Sequence, residues 1–387
     1  MADGWDPWDA AFRRDPYPTY DRLRVDDPVH WSDHTGAWLV TRHADADAVL
    51  HDRRFSSRLT RWERLGLAER PIHDLQLADP PEHGRLRAAV APAFTAAAVA
   101  RLRGRVEALA DELLDAAAGS QVADLMASVA RPLPLRVSMG MLGLPAGDGP
   151  AVQAWADRIG EAIEQWEPRQ QARWPAAAEL TEYVVEAVEE RRGRRGDDLV
   201  SLVLAAEDAG QLSEMEAVTM CVTLLVTSTQ TPRDLLGNGL LALLEAPGLL
   251  GRLAGDPALI GPAVEELLRF DAPMQGVDRV AAERVTLGGR TIEPRQLVRV
   301  AIGAANRDPE RFAEPGRLDL GRRPNPHLSL AAGPHHCLGA ALARLLGQAV
   351  FGAVARRFPG ARLAGPPVRR PWLTFRGLES LPVSLRG

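Results

Sequence analysis

Lysine is absent from the 387 residues, so every basic side chain other than histidine is one of 46 arginines. Such complete replacement reads as the codon-composition signature of a GC-rich bacterial genome. Cysteine is almost absent too: the chain has only Cys221 and Cys337, far apart and in dissimilar surroundings. Two such residues exclude a disulfide-stapled scaffold and fit a reducing cytoplasm. No apolar run reaches the roughly 20 residues that a membrane span needs, and the longest lies near 217–227. The opening MADGWDPWDA carries acids but neither a basic start nor an apolar core, so no signal peptide is expected. A net charge of −5 gives no reason to expect nucleic-acid binding. With 46% hydrophobic and 25% charged residues, the remainder is an ordinary soluble globular composition.

Periodicity predicts a mainly α protein with small β-sheets. Between about 81 and 244, segments such as VARLRGRVEALADELLDAAA and ELTEYVVEAVEERR repeat apolar residues at spacings of three and four. Breakers at Gly119, Pro132, Pro145, Gly149, Pro168 and Pro175 divide this region into separate helices. Short extended segments within 20–55, including AWLVTR beside the turn residues Asp33 and Gly36, predict a small sheet. A second extended zone at 285–301 contains LGGRTI, a hairpin-like turn. Helix returns after Cys337, and FRGLESLPVSL reads as loop and strand.

The most informative stretch is 329–344, SLAAGPHHCLGAALAR, where Cys337 sits between a glycine-containing loop and an apolar helix. Free N–H groups and the positive end of a helix favour a thiolate, so Cys337 is expected to be deprotonated and able to bind a metal. Gly333 and Gly339 are read as positions where backbone passes close to a flat cofactor. The spacing Gly333, His335, Cys337, Gly339, Leu342, Ala343, Arg344 resembles the cysteine-ligand motif of the cytochrome P-450 family. That resemblance implies a helical prism enclosing haem b (iron protoporphyrin IX), one domain over 1–387, and Cys337 as the iron ligand. Thiolate ligation of this kind pushes electron density onto iron and favours O–O cleavage. Where the family has Phe-Gly, this chain has Leu330-Ala331.

Other positions acquire meaning from the same resemblance. Glu266 and Arg269 emerge on one helix face; alone they would be a surface ion pair, but they match the family's structural Glu-x-x-Arg motif, with Arg322 the candidate third member. His83 and Arg87, four apart, together with Arg279 and His335, match the family's contacts to the haem propionates. In CVTLLVTSTQTPRDLLGNGLLALL, the family's Ala-Gly-x-acid-Thr is Thr227, Ser228, Thr229, Gln230, Thr231. The alcohol survives, whereas Gln230 cannot ionise. Pro232 is expected to kink the helix and free a carbonyl near the oxygen pocket. Either Thr231, water and neighbouring hydroxyls replace the acid in proton delivery, or weak delivery suits radical coupling of indoles or phenols without oxygen insertion. A haem-binding scaffold is the non-enzymatic alternative.

For the substrate pocket, the resemblance points to Trp62, Trp166, Trp174, Met274, Gln275, Val277, Thr374 and Phe375. The implied reaction is oxidation of a small organic molecule by dioxygen, with hydroxylation first in line. The sequence has no nicotinamide or flavin fingerprint, so a ferredoxin and its reductase are the implied electron source. Arg322, Arg323, Arg344, Arg356 and Arg357 are expected to form a positive docking patch.

Overall fold

The computed structural model describes residues 5–58, 74–164 and 173–386. Its five-stranded sheet runs in the order Val29–Ser32, Ala37–Val40, Leu297–Ala301, Gly276–Ala281, Phe55–Ser56. All contacts are antiparallel except that between Ala37–Val40 and Leu297–Ala301. The predicted N-terminal sheet is thus joined by two strands that lie more than two hundred residues further on. LGGRTI is a hairpin turn, with Gly288 at φ +53 and Gly289 at φ +75, conformations that glycine adopts without a side-chain penalty.

The helical bulk is organised on Glu214–Glu245, a 32-residue helix opened by a Ser213/Glu216 capping box. Its second half is buried almost all round and packs on Ala340–Arg357, where the ring of Phe351 fills the space above Gly239. Leu236, Leu240, Val264, Leu346 and Val350 belong to the same core. Cys221 is a buried hydrophobe on this helix, its thiol pushed up to about 12 by burial. Three of the expected breakers divide the region from helix starts: Gly149 and Pro132 open helices, and Pro175 lies in the first turn of Arg173–Gly193. A first-turn proline loses no hydrogen bond because the N–H it lacks would have no partner there. Pro168 lies outside the described residues.

One ion pair joins the helices to the long irregular segment before Cys337. Glu266 and Arg269, on helix Ile260–Phe270, are fully buried and paired through two bonds of 2.7 Å. Arg322 donates to both oxygens of the same carboxylate at 3.1 and 3.0 Å, Asn325 donates to Oε2 at 3.2 Å and the Asp319 N–H to Oε1 at 2.9 Å. Arg269 in turn donates to the carbonyls of Asn306, Pro315 and Arg317. Removing one partner leaves a buried charge uncompensated, so Glu266→Ala is expected to destabilise the fold by about 3–5 kcal/mol. A denaturant titration of the variant against wild type measures this. A loss under about 1 kcal/mol would mean that the pair behaves as a surface bridge.

Candidate active site

A cavity of about 530 Å³ opens between the Glu214–Glu245 helix, the loop before Ala340–Arg357, strand Gly276–Ala281 and the turn 373–375. Cys337, Gly339, Thr227, Ser228, Gln230, Thr231, His83, Arg87, Arg279, His335, Met274, Val277, Thr374 and Phe375 all line it. The folded chain therefore collects residues from five distant stretches around one space.

The Cys337 loop is closed by its own backbone: the Cys337 N–H donates to the Leu330 carbonyl at 2.8 Å. Ala331 adopts φ +55, a left-handed conformation that costs a residue with a Cβ about 1–2 kcal/mol. Gly333, at φ +65, is off the cavity wall; a Cβ there would collide with the Leu50 carbonyl oxygen, so its cause is packing on helix His43–His51 rather than a flat group. Gly339 does face the cavity. The expectation of a self-generated thiolate is corrected: burial pushes the Cys337 thiol up, outweighing the Gly339 N–H, Arg87 and Arg344. Cys337 lies two residues ahead of Gly339, the residue that caps the helix. A cation bound to the sulfur would deprotonate it.

Beside the loop, four cationic or ionisable groups crowd together. The His83 and His335 rings lie 4.2 Å apart between centroids. His335 is pushed down to about 3, by burial first and then by Arg279, His83 and Arg87. Arg279 is buried and forms no ion pair among the described residues, donating only to the Asp278 carbonyl at 2.8 Å. Such mutual repulsion between groups that face one cavity is the mark of a site built for a bound anion.

On the central helix, the hydroxyls are committed to backbone. Thr227 donates to the Thr223 carbonyl at 2.7 Å, Ser228 to Leu224 at 2.6 Å and Thr229 to Val226 at 2.8 Å. Thr231 reaches Thr227 at only 3.4 Å, the weakest of these bonds and the easiest to exchange for a cavity partner. Pro232 lies within the helix, and the carbonyl of Ser228, four residues back, accepts from Ser138 at 3.4 Å. Gln230, although on the cavity wall, is held by its amide, which donates to the Ala156 carbonyl at 2.5 Å, over Gly160 on helix Gly149–Glu164. It is a tie between helices, not a substitute acid.

Gln275 is also corrected. It is buried off the cavity wall, its amide bonded to the Ala272 carbonyl at 2.9 Å. Trp62 and Trp166 lie outside the described residues, as does the side chain of Trp174. Sequence reasoning missed Glu164, whose carboxylate accepts the N–H groups of Leu373, Thr374 and Phe375 at 2.7–3.0 Å. Nothing in its local sequence marks it.

Comparison with known proteins agrees with this architecture. Residues 259–366 match the family model described as Cytochrome P450. Cytochrome P450 107B1 of Saccharopolyspora erythraea is 38% identical over 97% of this chain and 96% of its own length. The polyketide biosynthesis cytochrome P450 PksS of Bacillus subtilis is 37% identical over 98% of each. The crystal structure of CalO2 superposes with a TM-score of 0.93, covering both chains fully at 38% identity. The chain belongs to the cytochrome P450 family.

It is accordingly a haem-thiolate monooxygenase, and its cofactor is haem, iron protoporphyrin IX. The residues present fit that group: a thiol faces one cavity together with an anion-seeking cluster of two arginines and two histidines. No described helix is long and apolar enough to cross a membrane. The expected arginine patch is largely neutralised. Arg322 is paired to Glu266, Arg344 to Glu265, and Arg357 to Asp111 and Asp115, while Arg356 approaches Asp111 at 4.0 Å.

Glu265 shows what that pairing does. Burial raises it, but hydrogen bonds from His327 and Arg344, at 3.3 and 2.7 Å, more than offset this and hold it at about 2 instead of 4.5. A carboxylate lowered by folding stabilises the protein above its unfolded pKa and loses that contribution as pH falls through the folded value. Glu265→Gln is therefore expected to be less stable than wild type above pH 4.5, the two converging as pH falls toward 2. Urea midpoints measured across this range test it. A gap that persists unchanged to pH 2 would assign the loss to packing.

Proposed function

We propose that this P450 hydroxylates a small, mainly apolar organic molecule in bacterial secondary metabolism. The observation that carries the reading is that Cys337 and Thr231 face one cavity whose walls are otherwise dominated by residues such as Leu75, Met141, Ile163, Val277 and Phe375. Cys337 would hold the haem iron, and Arg279, His83, Arg87 and His335 the two propionates. When bound, the haem would supply dioxygen activation, with the thiolate pushing electron density onto iron. The chain's own part is to exclude water, orient the substrate and manage protons. The apolar walls do the first two. Thr231 does the third, because its hydroxyl is the one held most loosely to the helix.

Electrons would come from a ferredoxin and its reductase, in the cytoplasm, through a surface other than the arginines already paired. Relatives whose names state a hydroxylation support the reaction class: 6-deoxyerythronolide B hydroxylase of Saccharopolyspora erythraea is 36% identical over 97% of this chain. Gln230, bonded through its amide to the Ala156 carbonyl, supplies no acid, so on this reading proton delivery falls to the hydroxyls alone.

The test is product mass after turnover of the holoenzyme with ferredoxin, reductase and ¹⁸O₂, over a panel of macrolactones, steroids and aromatic dipeptides. Hydroxylation adds one labelled oxygen. A product that has lost hydrogen and gained no label would overturn the reading. In the same assay Thr231→Ala is expected to lower product formed per electron by about tenfold. Thr227→Ala, whose hydroxyl is committed to a 2.7 Å backbone bond, is expected to change it far less.

A further inference from the structure

Thr374 occupies an unusual position among the polar groups of the cavity wall. Its N–H is held by Glu164 at 2.9 and 3.0 Å, and its carbonyl accepts from the Gln275 N–H at 2.8 Å. Its side-chain oxygen accepts from Nη2 of Arg299 at 2.7 Å. Arg299 is itself buried, with Nε 3.6 Å from Asp278 across the paired strands Gly276–Ala281 and Leu297–Ala301, and its side chain runs over Gly276, where a Cβ would obstruct it. One polar atom of Thr374 is left over, the hydroxyl hydrogen, which has no acceptor among the described residues.

The contrast lies across the cavity. Thr227, Ser228 and Thr231 each spend their hydroxyl hydrogen on a helix carbonyl, so toward the cavity they offer oxygen lone pairs. Thr374 has the reverse polarity: its lone pair is occupied by a guanidinium, and its O–H is left to donate. A hydroxyl that accepts from a cation becomes a stronger donor, because hydrogen bonds in a chain polarise one another. The charge of Asp278, the one carboxylate on the wall among the described residues, faces Arg299. Among those residues no strong anionic feature is left to select a cationic substrate.

We propose that the Thr374 hydroxyl is the polar anchor of the substrate pocket, donating to a carbonyl, ether or hydroxyl oxygen of a neutral, mainly apolar substrate. Arg299 is its positioning residue: it fixes the rotamer and polarises the O–H without touching the substrate. This rests on the reading of the cavity as a P450 substrate pocket, and it adds the substrate class: an oxygen-bearing, uncharged molecule rather than a plain hydrocarbon or an ion.

The test uses the ferric holoenzyme and two probes of equal ring size, cyclopentadecanone and cyclopentadecane, with displacement of the Soret band reporting binding. One hydrogen bond to a polarised donor predicts that wild type binds the ketone about tenfold more tightly than the hydrocarbon. Thr374→Val keeps the shape and removes the donor, and is expected to bring that ratio to about one; Thr374→Ser is expected to keep it. Arg299→Met is expected to shrink the ratio, whereas a residue with a merely structural role would weaken both probes alike. Should Thr374→Val fail to incorporate haem, Thr374→Ala deletes the same hydroxyl.

A wild-type protein with no preference for the ketone, whether both probes bind equally or neither shifts the Soret band, overturns the proposal. So does a Thr374→Val protein that retains the preference. The carbon-monoxide difference spectrum of the reduced wild type separates the two levels. With the thiolate-type band present, a missing preference removes the Thr374 assignment alone. Without that band, the haem-thiolate reading fails, and the anchor with it.

Discussion

The buried carboxylate of Glu266 is the point on which the reactive loop depends. A charge taken out of water must be compensated almost completely, or it costs several kcal/mol. Here the compensation is supplied by two arginines, an asparagine side chain and a backbone N–H, drawn from helix Ile260–Phe270 and from residues 319–325. Those residues have no regular secondary structure to hold them. Because the carboxylate needs all of its donors, it fixes where the irregular segment lies, and that segment leads directly into the Cys337 loop. A helix–helix contact between apolar faces could slide by a fraction of a turn; an anion bonded by five donors in fixed directions cannot.

The central helix shows a second use of buried polarity. A 32-residue helix lined with threonine and serine could be expected to hydrate on its cavity side, yet its hydroxyls fold back onto carbonyls one turn earlier. This keeps the wall dry without making it chemically inert, since a back-bonded hydroxyl still presents lone pairs. Gln230 and Arg233 bind helix Gly149–Glu164, through the Ala156 carbonyl and Asp157. Arg233 is off the cavity wall, whereas Thr231, two residues earlier, faces it, as a 3.6-residue period allows.

That separation explains what could be read from sequence and what could not. The Cys337 loop, the Glu266/Arg269 pair, the hairpin at Gly288 and Gly289, and the helical blocks are local: spacing along the chain decides them. The direction of Gln230 is different. Its identity shows that it cannot ionise, but only the approach of Gly160 from another helix shows that the amide has a carbonyl to bind. Gly333 was read as making room for a cofactor, and its neighbour is instead the Leu50 carbonyl. The arginines of the supposed patch carried no local sign that Glu265, Glu266 and Asp111 would meet them. Glu164, at the end of its helix, was silent in sequence because its partners are backbone amides two hundred residues later.

The electrostatics of the cavity also bear on folding. Burial disfavours the thiolate of Cys337, while burial and the charges of Arg279 and Arg87 disfavour the protonated forms of His83 and His335. Each penalty is relieved by a charge of opposite sign at its own location, a cation beside the sulfur and anionic groups beside the arginines. A ligand that carries both charges, spaced to reach both locations, is bound by the native fold and not by the unfolded chain, so its binding free energy becomes folding free energy. Iron protoporphyrin, with a metal at its centre and two carboxylates on its edge, has that charge pattern. The described groups therefore form an arrangement that is unfavourable by itself and that a ligand with this charge pattern would relieve.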